Sequence, residues 1–531
     1  MTAPKVLVSD KLSETAVQIF RDRGIDVDFE PGLGKDKERL LEVIGQYDGL
    51  AIRSATKVTE KILAAADNLK VIGRAGIGVD NVDIPMASKK GVIVMNTPFG
   101  NSITTAEHAI SMMMAVARQI PEANASTHSG AWEKSRFMGV ELFSKTLGVV
   151  GAGNIGSIVI DRAQGLKMKV IAYDPFLSEE RAAQLGVTKV EIDELWAKSD
   201  FITFHVPLTD KTKNILSAAA ITKLKPGVRI VNCARGGLVD EAALAEALKE
   251  GRVAGAAFDV FAVEPATDSP LFNLPNVVVT PHLGAATTEA QENVALQVAE
   301  QMSDYLLTGA VTNALNMPSV TAEEAKVMGP WVKLAEHLGA FVGQLTDEPI
   351  KAINILYNGT VSQMNIAALN SAAVAGIMKA TNPDVNMVSA PVIAKERGIE
   401  LSTTTQEKSG AFDAYIKLTV VTSERERSVA GTVFNDGKPR FIQIKGINID
   451  AEIGAHMVYT TNNDVPGIIG ALGNTMGSNG VNIANFTLGR NDKGGDAIAL
   501  LYVDEPVPAK AVEALHGTGL FDQVRPLQFA V

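Results

Sequence analysis

The sequence predicts an α/β protein: two parallel, doubly wound units, then an α+β unit and a terminal βαββαβ unit. Three observations predict it. First, the apolar run Leu147-Gly148-Val149-Val150 enters Gly151-Ala152-Gly153-Asn154-Ile155-Gly156. A helix-like segment leads from there to Leu166, and Lys169-Val170-Ile171-Ala172-Tyr173 ends on Asp174. Second, strand-like and helix-like stretches alternate through the first 285 residues, the order that builds parallel sheets covered by helices. Third, the composition shifts around Thr312 to Ser319, and the elements beyond no longer alternate in that way.

Each glycine of the first observation has a separate task. Gly151 permits a tight turn, Gly153 lets a pyrophosphate approach bare backbone, and Gly156 allows helix and strand to pack closely. The amides opening the helix then point at the phosphates. Asp174 stands 18 residues past Gly156 (174 − 156), where a carboxylate binds both ribose hydroxyls and repels a 2′-phosphate. A lone G-x-G-x-x-G is weak, being only a glycine-rich turn. Strand, helix, second strand and acid in register predict a Rossmann-type unit that binds NAD rather than NADP.

Along the chain, Lys5 to Ser9 reads as a strand and Ser13 as the cap of a helix that stops at Gly24. Asp48 to Arg53 and Leu69 to Gly73 are further strands around a helix, Glu60 to Ala66. Thr104 to Arg118 is an amphipathic helix, followed by a polar connection containing Trp132, Lys134 and Arg136. Past the fingerprint, strands are expected over Phe201 to Leu208, Val228 to Cys233, Val253 to Phe258 and Val277 to Thr280. Asp240 caps a helix ending at Gly251. Thr287 to Thr308 is one long helix, opened by a capping box of Thr288 with Gln291, stopped by Gly309 and able to return the chain to the first unit. Beyond the linker a helix near Trp331 to Leu345 and strands near 351–357, 414–422 and 428–434 are expected, with a hairpin turn at Asn435-Asp436-Gly437. The last unit reads as strand His456 to Thr460, a helix with Pro466 in its first turn, strands Val481 to Leu488 and Ala497 to Val503, helix Lys510 to His516, and strand Val524 to Val531. The expected division is 1–98 with 286–316, then 99–285, 317–452 and 453–531.

Bulk properties exclude several classes. At 531 residues the chain is too long for one core. A net charge of −11 argues against a nucleic-acid or anionic-membrane surface as main partner. The single Cys233 rules out an intramolecular disulfide and fits a reducing compartment. With no signal-peptide pattern and no apolar stretch of membrane-spanning length, a cytoplasmic protein is expected.

The residues that carry chemistry follow strand ends. A nicotinamide enzyme acting on an alcohol needs a base for the hydroxyl proton and a cation to orient the substrate. Of the histidines His108, His128, His205, His282, His337, His456 and His516, only His205 and His282 follow strands of the nucleotide unit. His282 is preferred, because Gly284 and Ala285 leave room beside it. Glu264 can hold its imidazole, and Arg235 offers a planar fork for a carboxylate or keto oxygen. Asp259 shapes the nicotinamide pocket, or else only caps a strand. Cys233 reads as a small buried hydrophobe, with nothing to activate it. Arg53 and Arg74 stand at strand ends of the first unit, Arg74 amid Gly76, Ile77 and Gly78; a surface arginine is the commoner fate, but two so placed favour anion binding. No metal-ligating constellation stands out.

Four motifs occur in order and spacing: Gly151–Gly156, Asn232-Cys233-Ala234-Arg235-Gly236-Gly237, Phe258-Asp259-Val260-Phe261…Glu264-Pro265 and Thr280-Pro281-His282-Leu283-Gly284. Over residues 1–316 they resemble the D-2-hydroxyacid dehydrogenase family. Gly73-Arg74-Ala75-Gly76-Ile77-Gly78-Val79-Asp80-Asn81 and the two C-terminal units resemble its long form. The last unit resembles an ACT module by Asp464-Val465-Pro466-Gly467-Ile468-Ile469-Gly470 and Gly480-Val481-Asn482-Ile483-Ala484. The resemblance implies a Rossmann domain inserted in a flavodoxin-like substrate lobe, then an α+β intervening domain like an allosteric substrate-binding domain, and a ferredoxin-like ACT domain. It implies NAD-dependent oxidation of 3-phospho-D-glycerate to 3-phosphohydroxypyruvate, the first committed step of L-serine synthesis. By position, His282 becomes the acid/base, Glu264 its partner and Arg235 the substrate anchor. Gly151, Gly153, Asn154, Ile155, Gly156, Asp174, Val206, Pro207, Cys233, Ala234, Arg235, Asp259, His282, Gly284 and Ala285 line the cofactor site. Arg53, Ser54, Arg74, Gly76, Ile77, Gly78, Asn101 and Ser102 line the substrate site, with Ile77 standing where relatives often carry Thr. Asn462, Asp464 and Asn482 mark a regulatory serine site, and a homodimer or homotetramer is implied. The same motifs leave two rivals: a reductase for hydroxypyruvate, glyoxylate or 2-oxoglutarate, and an NAD-sensing binding protein.

Overall fold

The computed structural model describes residues 3–407 and 412–530. Its first sheet is wholly parallel, in the order Asp26–Phe29, Lys5–Val8, Gly49–Ile52, Val71–Arg74, Ile93–Met95. This is the flavodoxin-like 2-1-3-4-5 order. Its strands are short apolar runs because both faces are covered: Val6, Leu7 and Val8 expose nothing. Ser13 caps the helix Glu14–Asp22 by accepting the Ala16 amide, and Gly24 turns the chain out with φ +79°.

The second sheet is also parallel, in the order Val277–Val279, Val253–Phe258, Val228–Asn232, Phe201–Phe204, Thr146–Val150, Lys169–Tyr173, Thr188–Lys189. Strand order reverses between Thr146–Val150 and Phe201–Phe204, the place where a doubly wound sheet opens its ligand crevice. Asp240 caps Glu241–Lys249 through the Ala243 amide, as expected.

The helix Thr288–Thr308 does return to the first sheet. Val294, Val298 and Met302 join the core of Val6, Val8 and Val71, and Gly73 is needed there because a Cβ would collide with Met302 and Val298. Its cap differs from expectation. Thr287 accepts the Ala290 amide, one residue before the capping box read at Thr288 and Gln291, and Gln291 instead lines the cleft described below. Gly309 ends the helix with φ +75°.

The helix Ser102–Arg118 is followed by a second one, Ile120–His128, where only a polar connection was expected. Gln119 takes the left-handed conformation between them (φ 52°), and the second helix buries none of its residues. Without a buried face it has no apolar periodicity to read.

The third sheet runs Glu400–Gln406, Ala352–Gly359, Ala414–Val421, Glu426–Val433, Pro439–Ile444, Ile447–Glu452, parallel only at its first pair. The helices Ala322–Gln344 and Ile366–Lys379 pack with it in one core. The fourth sheet is antiparallel, ordered Ile483–Arg490, Asp496–Val503, His456–Asn463, Gln523–Gln528, with helices Ile468–Ser478 and Ala509–Gly517 completing the βαββαβ order. Pro466 is not in the first turn of its helix. Gly467 is the N-cap, with φ +102°, and Pro466 precedes it. Val531, the end of the expected last strand, lies outside the described residues. The third and fourth sheets share one core, in which Phe341 meets Phe441 and Tyr459 at ring distances of 5.1 and 5.4 Å.

Candidate active site

A cleft of about 810 Å³ opens between the carboxyl ends of the first two sheets. The first sheet supplies Arg53, Ser54, Lys57, Arg74, Gly76 and Asp80 to it; the second supplies Glu264, Thr280, His282 and Ala285.

His282 follows the strand Val277–Val279 and stands in a left-handed turn (φ 56°). Its amide donates to the Asp259 carbonyl at 2.9 Å, and its Nδ1 is 2.6 Å from Glu264 Oε2. That bond fixes the ring and leaves Nε2 for the cleft. The hydrogen bond to Glu264 raises the imidazole above its ordinary value, against partial burial and the repulsion of Arg235. Burial disfavours the charged Glu264, yet the bonds from His282 and from the Phe261 amide, at 3.0 Å, hold its carboxyl below the usual range. Asp259 is wholly buried. It accepts the Thr280 hydroxyl at 2.6 Å and the Leu283 and Gly284 amides at 2.7 and 2.8 Å, so it shapes the turn that carries His282.

Three guanidinium groups approach one another on the opposite wall. Arg74 is held in the space left by Gly76, where a Cβ would collide with it, and its Nε has no hydrogen-bond partner among the described residues. Burial, then Arg235 and Arg53, lower its pKa to about 10. A half-buried cation whose Nε is sealed off without a partner, beside other cations, is favoured by an anion held between them. Two backbone frames hold this wall. Asp10 accepts the Arg53 amide (2.6 Å) and the Thr56 amide (3.1 Å), while Asn81 Nδ2 donates to the Arg53 and Thr56 carbonyls (2.7 and 2.6 Å). Thr97 accepts the Gly76 amide at 2.7 Å. Arg235 reaches across from the second sheet, with Nε 3.2 Å from Asp80 Oδ2 and Nη1 2.7 Å from the Ala234 carbonyl. Gly78 makes room for it, since a Cβ there would strike the guanidinium.

The fingerprint glycines meet the demands of a dinucleotide. Gly151 has φ +95°, and a Cβ there would strike the His205 carbonyl and Val206; one on Gly156 would strike the Gly151 carbonyl. A Cβ on Gly153 would meet nothing within 4 Å, so that backbone faces open space. Asn154 is exposed and Ile155 half-buried at the start of Asn154–Gly165. Asp174 receives the Ala152 amide at 2.9 Å and the Phe176 amide at 2.8 Å, which places the carboxylate beside the glycine turn. The residues present fit NAD.

Other expected residues fall differently. Asn101 lines the cleft, but Ser102 is buried and donates its hydroxyl to the Pro98 carbonyl at 2.9 Å, so it is not presented to the cleft. Cys233 is buried, and burial pushes its thiol up. His205 is only half-buried, but its Nδ1 is buried without a partner among the described residues; burial lowers it to about 3, and its Nε2 faces Thr203 Oγ1 at 3.0 Å. Asn462 is buried and donates to the Asn463 carbonyl, Asp464 pairs with Arg490 at 2.5 Å, and Asn482 bonds Asp504 at 2.6 Å, so the three do not converge on one open site. Sequence reasoning missed Asp80 and Lys57 in the cleft and His108 beside Asp259. Asp80 was legible as the acid in the arginine-bearing Gly73–Asn81 loop; nothing local marked His108.

The family profile of the D-isomer specific 2-hydroxyacid dehydrogenase NAD-binding domain matches residues 110–284, and that of the D-3-phosphoglycerate dehydrogenase intervening domain matches 327–445. The chain is 43% identical over 509 residues to a D-3-phosphoglycerate dehydrogenase of Synechocystis, covering 96% of this chain and 91% of that one. It is 42% identical to one of Bacillus subtilis, covering 96% and 97%. Among solved structures, a glyoxylate reductase from Paecilomyes thermophila matches with a TM-score of 0.55 at 29% identity, and D-lactate dehydrogenase from Escherichia coli with 0.52 at 29%. Each covers 59% of this chain and 99% of its own. The chain therefore belongs to the D-3-phosphoglycerate dehydrogenases, a branch of the D-isomer-specific 2-hydroxyacid dehydrogenase family.

Proposed function

We propose that this chain oxidises 3-phospho-D-glycerate to 3-phosphohydroxypyruvate with NAD, at the entry to L-serine synthesis. One observation carries the choice of substrate: the half-buried Arg74, its Nε without a partner among the described residues, with Arg53 beside it, in the same cleft as the His282–Glu264 pair. An unphosphorylated hydroxy acid gives these cations nothing to bind, so a glyoxylate or hydroxypyruvate reductase is the weaker reading. A mere NAD sensor has no use for an oriented imidazole facing an anion site.

In this reading Arg53 and Arg74, helped by Ser54 and Lys57, hold the phosphate. Arg235 exchanges Asp80 for the substrate carboxylate and hydroxyl oxygen. Gly76, Ile77, Gly78 and Asn101 form the wall between them. His282 Nε2 takes the hydroxyl proton, and Glu264 stabilises the imidazolium that results. Gly151, Gly153, Asn154, Ile155, Gly156 and Asp174 hold the pyrophosphate and ribose; Val206, Pro207, Cys233, Ala234, Asp259, Gly284 and Ala285 enclose the nicotinamide. Bound there, NAD supplies the hydride acceptor. We assign 1–98 with 286–316 to the substrate lobe, 99–285 to the NAD domain, 317–452 to the intervening domain and 453–531 to the ACT domain.

The finer surroundings are proposals too. No helix among the described residues is long and apolar enough to cross a membrane, and we place the enzyme in the cytoplasm as a homodimer or homotetramer. L-serine binding would require partner chains to complete a site around Asn462, Asp464 and Asn482. The test is NADH formation with purified protein and a panel of 2-hydroxy acids. Phosphoglycerate should be preferred, and R53A/R74A should abolish that preference. Equal turnover of unphosphorylated acids by the wild type would overturn the reading.

A further inference from the structure

The carboxylate that organises the catalytic turn has one imidazole within hydrogen-bond reach, and it lies outside the cleft. Asp259 exposes nothing, and three of its contacts are neutral donors: Thr280, Leu283 and Gly284. The fourth is His108 Nε2, 3.2 Å from Asp259 Oδ1 and 3.3 Å from Thr280 Oγ1. His108 comes from the middle of Ser102–Arg118, and its side chain keeps 19% of its exposure. One imidazole therefore faces a fully buried carboxylate and also keeps an edge in solvent.

We propose that His108 is a positioning residue for the dehydrogenase reaction: by donating to Asp259 it keeps that carboxylate ionised, and so keeps the Pro281–Gly284 turn and His282 in register with the cleft. This rests on the reading of His282 as the acid/base. A buried carboxylate that loses a hydrogen-bond donor rises in pKa and takes up a proton more readily. Protonated Asp259 cannot accept the Thr280 hydroxyl and two amides equally well, and the left-handed turn at His282 loses its anchor. The ionisable groups facing Asp259 are His108 from the helix, Cys233 from the end of Val228–Asn232, and His282 with Glu264 from the two loops. Burial disfavours its charge, and the His108 bond heads the interactions that nonetheless hold Asp259 below the usual carboxylate range.

The test compares H108L, which removes the donor, with H108Q, which keeps an amide donor at similar reach. H108L should lose about 10- to 100-fold in kcat, the scale of a slightly misplaced catalytic group, with KM for phosphoglycerate little changed. In the reduction direction, whose acid side is not set by His282, the acid limb should move to higher pH. H108Q should restore both. Thermal unfolding followed against pH gives a readout apart from turnover. Because Asp259 titrates low in the folded state, its stability contribution is lost as pH falls through that low value, and in H108L the loss should begin at higher pH. An H108L enzyme with wild-type kcat and acid limb would overturn the proposal. So would H108L and H108Q impaired alike without a pH shift. Should H108L not fold, H108Q against the shorter H108N makes the same comparison, and equal activity of the two overturns it. Failure of H282A to lose activity would instead sink the acid/base reading, whatever the His108 variants do.

Discussion

At the scale of single residues, the decisive feature is a division of labour between the two nitrogens of His282. Nδ1 is committed to Glu264 at 2.6 Å, so only Nε2 can trade a proton with substrate. The Glu264 bond raises the imidazole pKa, which sets the sign of the pH dependence. Oxidation needs the neutral ring and should rise with pH through a midpoint above the ordinary histidine value. Reduction needs imidazolium and should fall over the same range. E264Q removes the largest raising contribution, leaving burial and Arg235 to lower the ring against the smaller pull of Asp259. The oxidation midpoint should then move down, while kcat falls by about 10²- to 10³-fold because the tautomer is no longer held. A pH profile of kcat for both directions checks this; an unmoved midpoint refutes it. Arg74 gives a second prediction. Losing a charge-assisted contact worth roughly 1.5–3 kcal/mol should raise KM for phosphoglycerate about 10- to 100-fold in R74A, with kcat less affected.

At the scale of elements, the glycine turn shows what was legible and why. Its three glycines do three different things in space, each of which follows from spacing along a strand–turn–helix unit, so local sequence was enough. A side chain at Gly156 drives into the Gly151 carbonyl, so G156V should destabilise the nucleotide domain itself. G153V meets only open space. It should leave the melting temperature within a few degrees of wild type and cut NAD affinity by at least tenfold, since the valine occupies the pyrophosphate's approach. Calorimetry with NAD titration separates the two; equal stability losses would refute the distinction. The buried parallel strands and the caps at Ser13 and Asp240 were legible for the same local reason. What escaped lacked a local signal. Ile120–His128 buries no face, and Glu400–Gln406 is exposed at every residue. Ile366–Lys379 has ten buried residues of fourteen and so shows no polar stripe. The contacts of His108 with Asp259 and of Asp80 with Arg235 join residues 151 and 155 positions apart (259 − 108; 235 − 80). Only the fold brings them together.

At the scale of the whole molecule, a chain with net charge −11 has to attract a small substrate bearing a phosphate and a carboxylate. The long-range field repels such an anion, and the cleft reverses the sign locally. Arg53, Lys57 and Arg74 line it, and Arg235 reaches in from the other lobe, opposed at the surface by Asp80. The Asp80–Arg235 pair is itself worth little, because the Asp80 side chain retains 73% exposure. Its larger effect is on the summed charge that an incoming anion meets. The Debye length shrinks from about 30 Å at 0.01 M salt to about 3 Å at 1 M. At low salt the overall negative charge and the cationic cleft both act at a distance; at high salt only contact pairs survive. The cleft is nearer the bound anion than the rest of the surface, so its attraction dominates the balance. kcat/KM for phosphoglycerate should therefore fall with rising ionic strength, and fall more steeply than for an unphosphorylated 2-hydroxy acid of similar size. D80N should steepen that slope and lower KM at low salt a few-fold, with kcat changed less, since Arg235 keeps its bond to the Ala234 carbonyl. Initial rates over a salt series with both substrates decide it. Parallel slopes for the two acids would mean that the cationic wall does not read the phosphate, and a D80N slope no steeper than wild type would remove Asp80 from the electrostatics of capture.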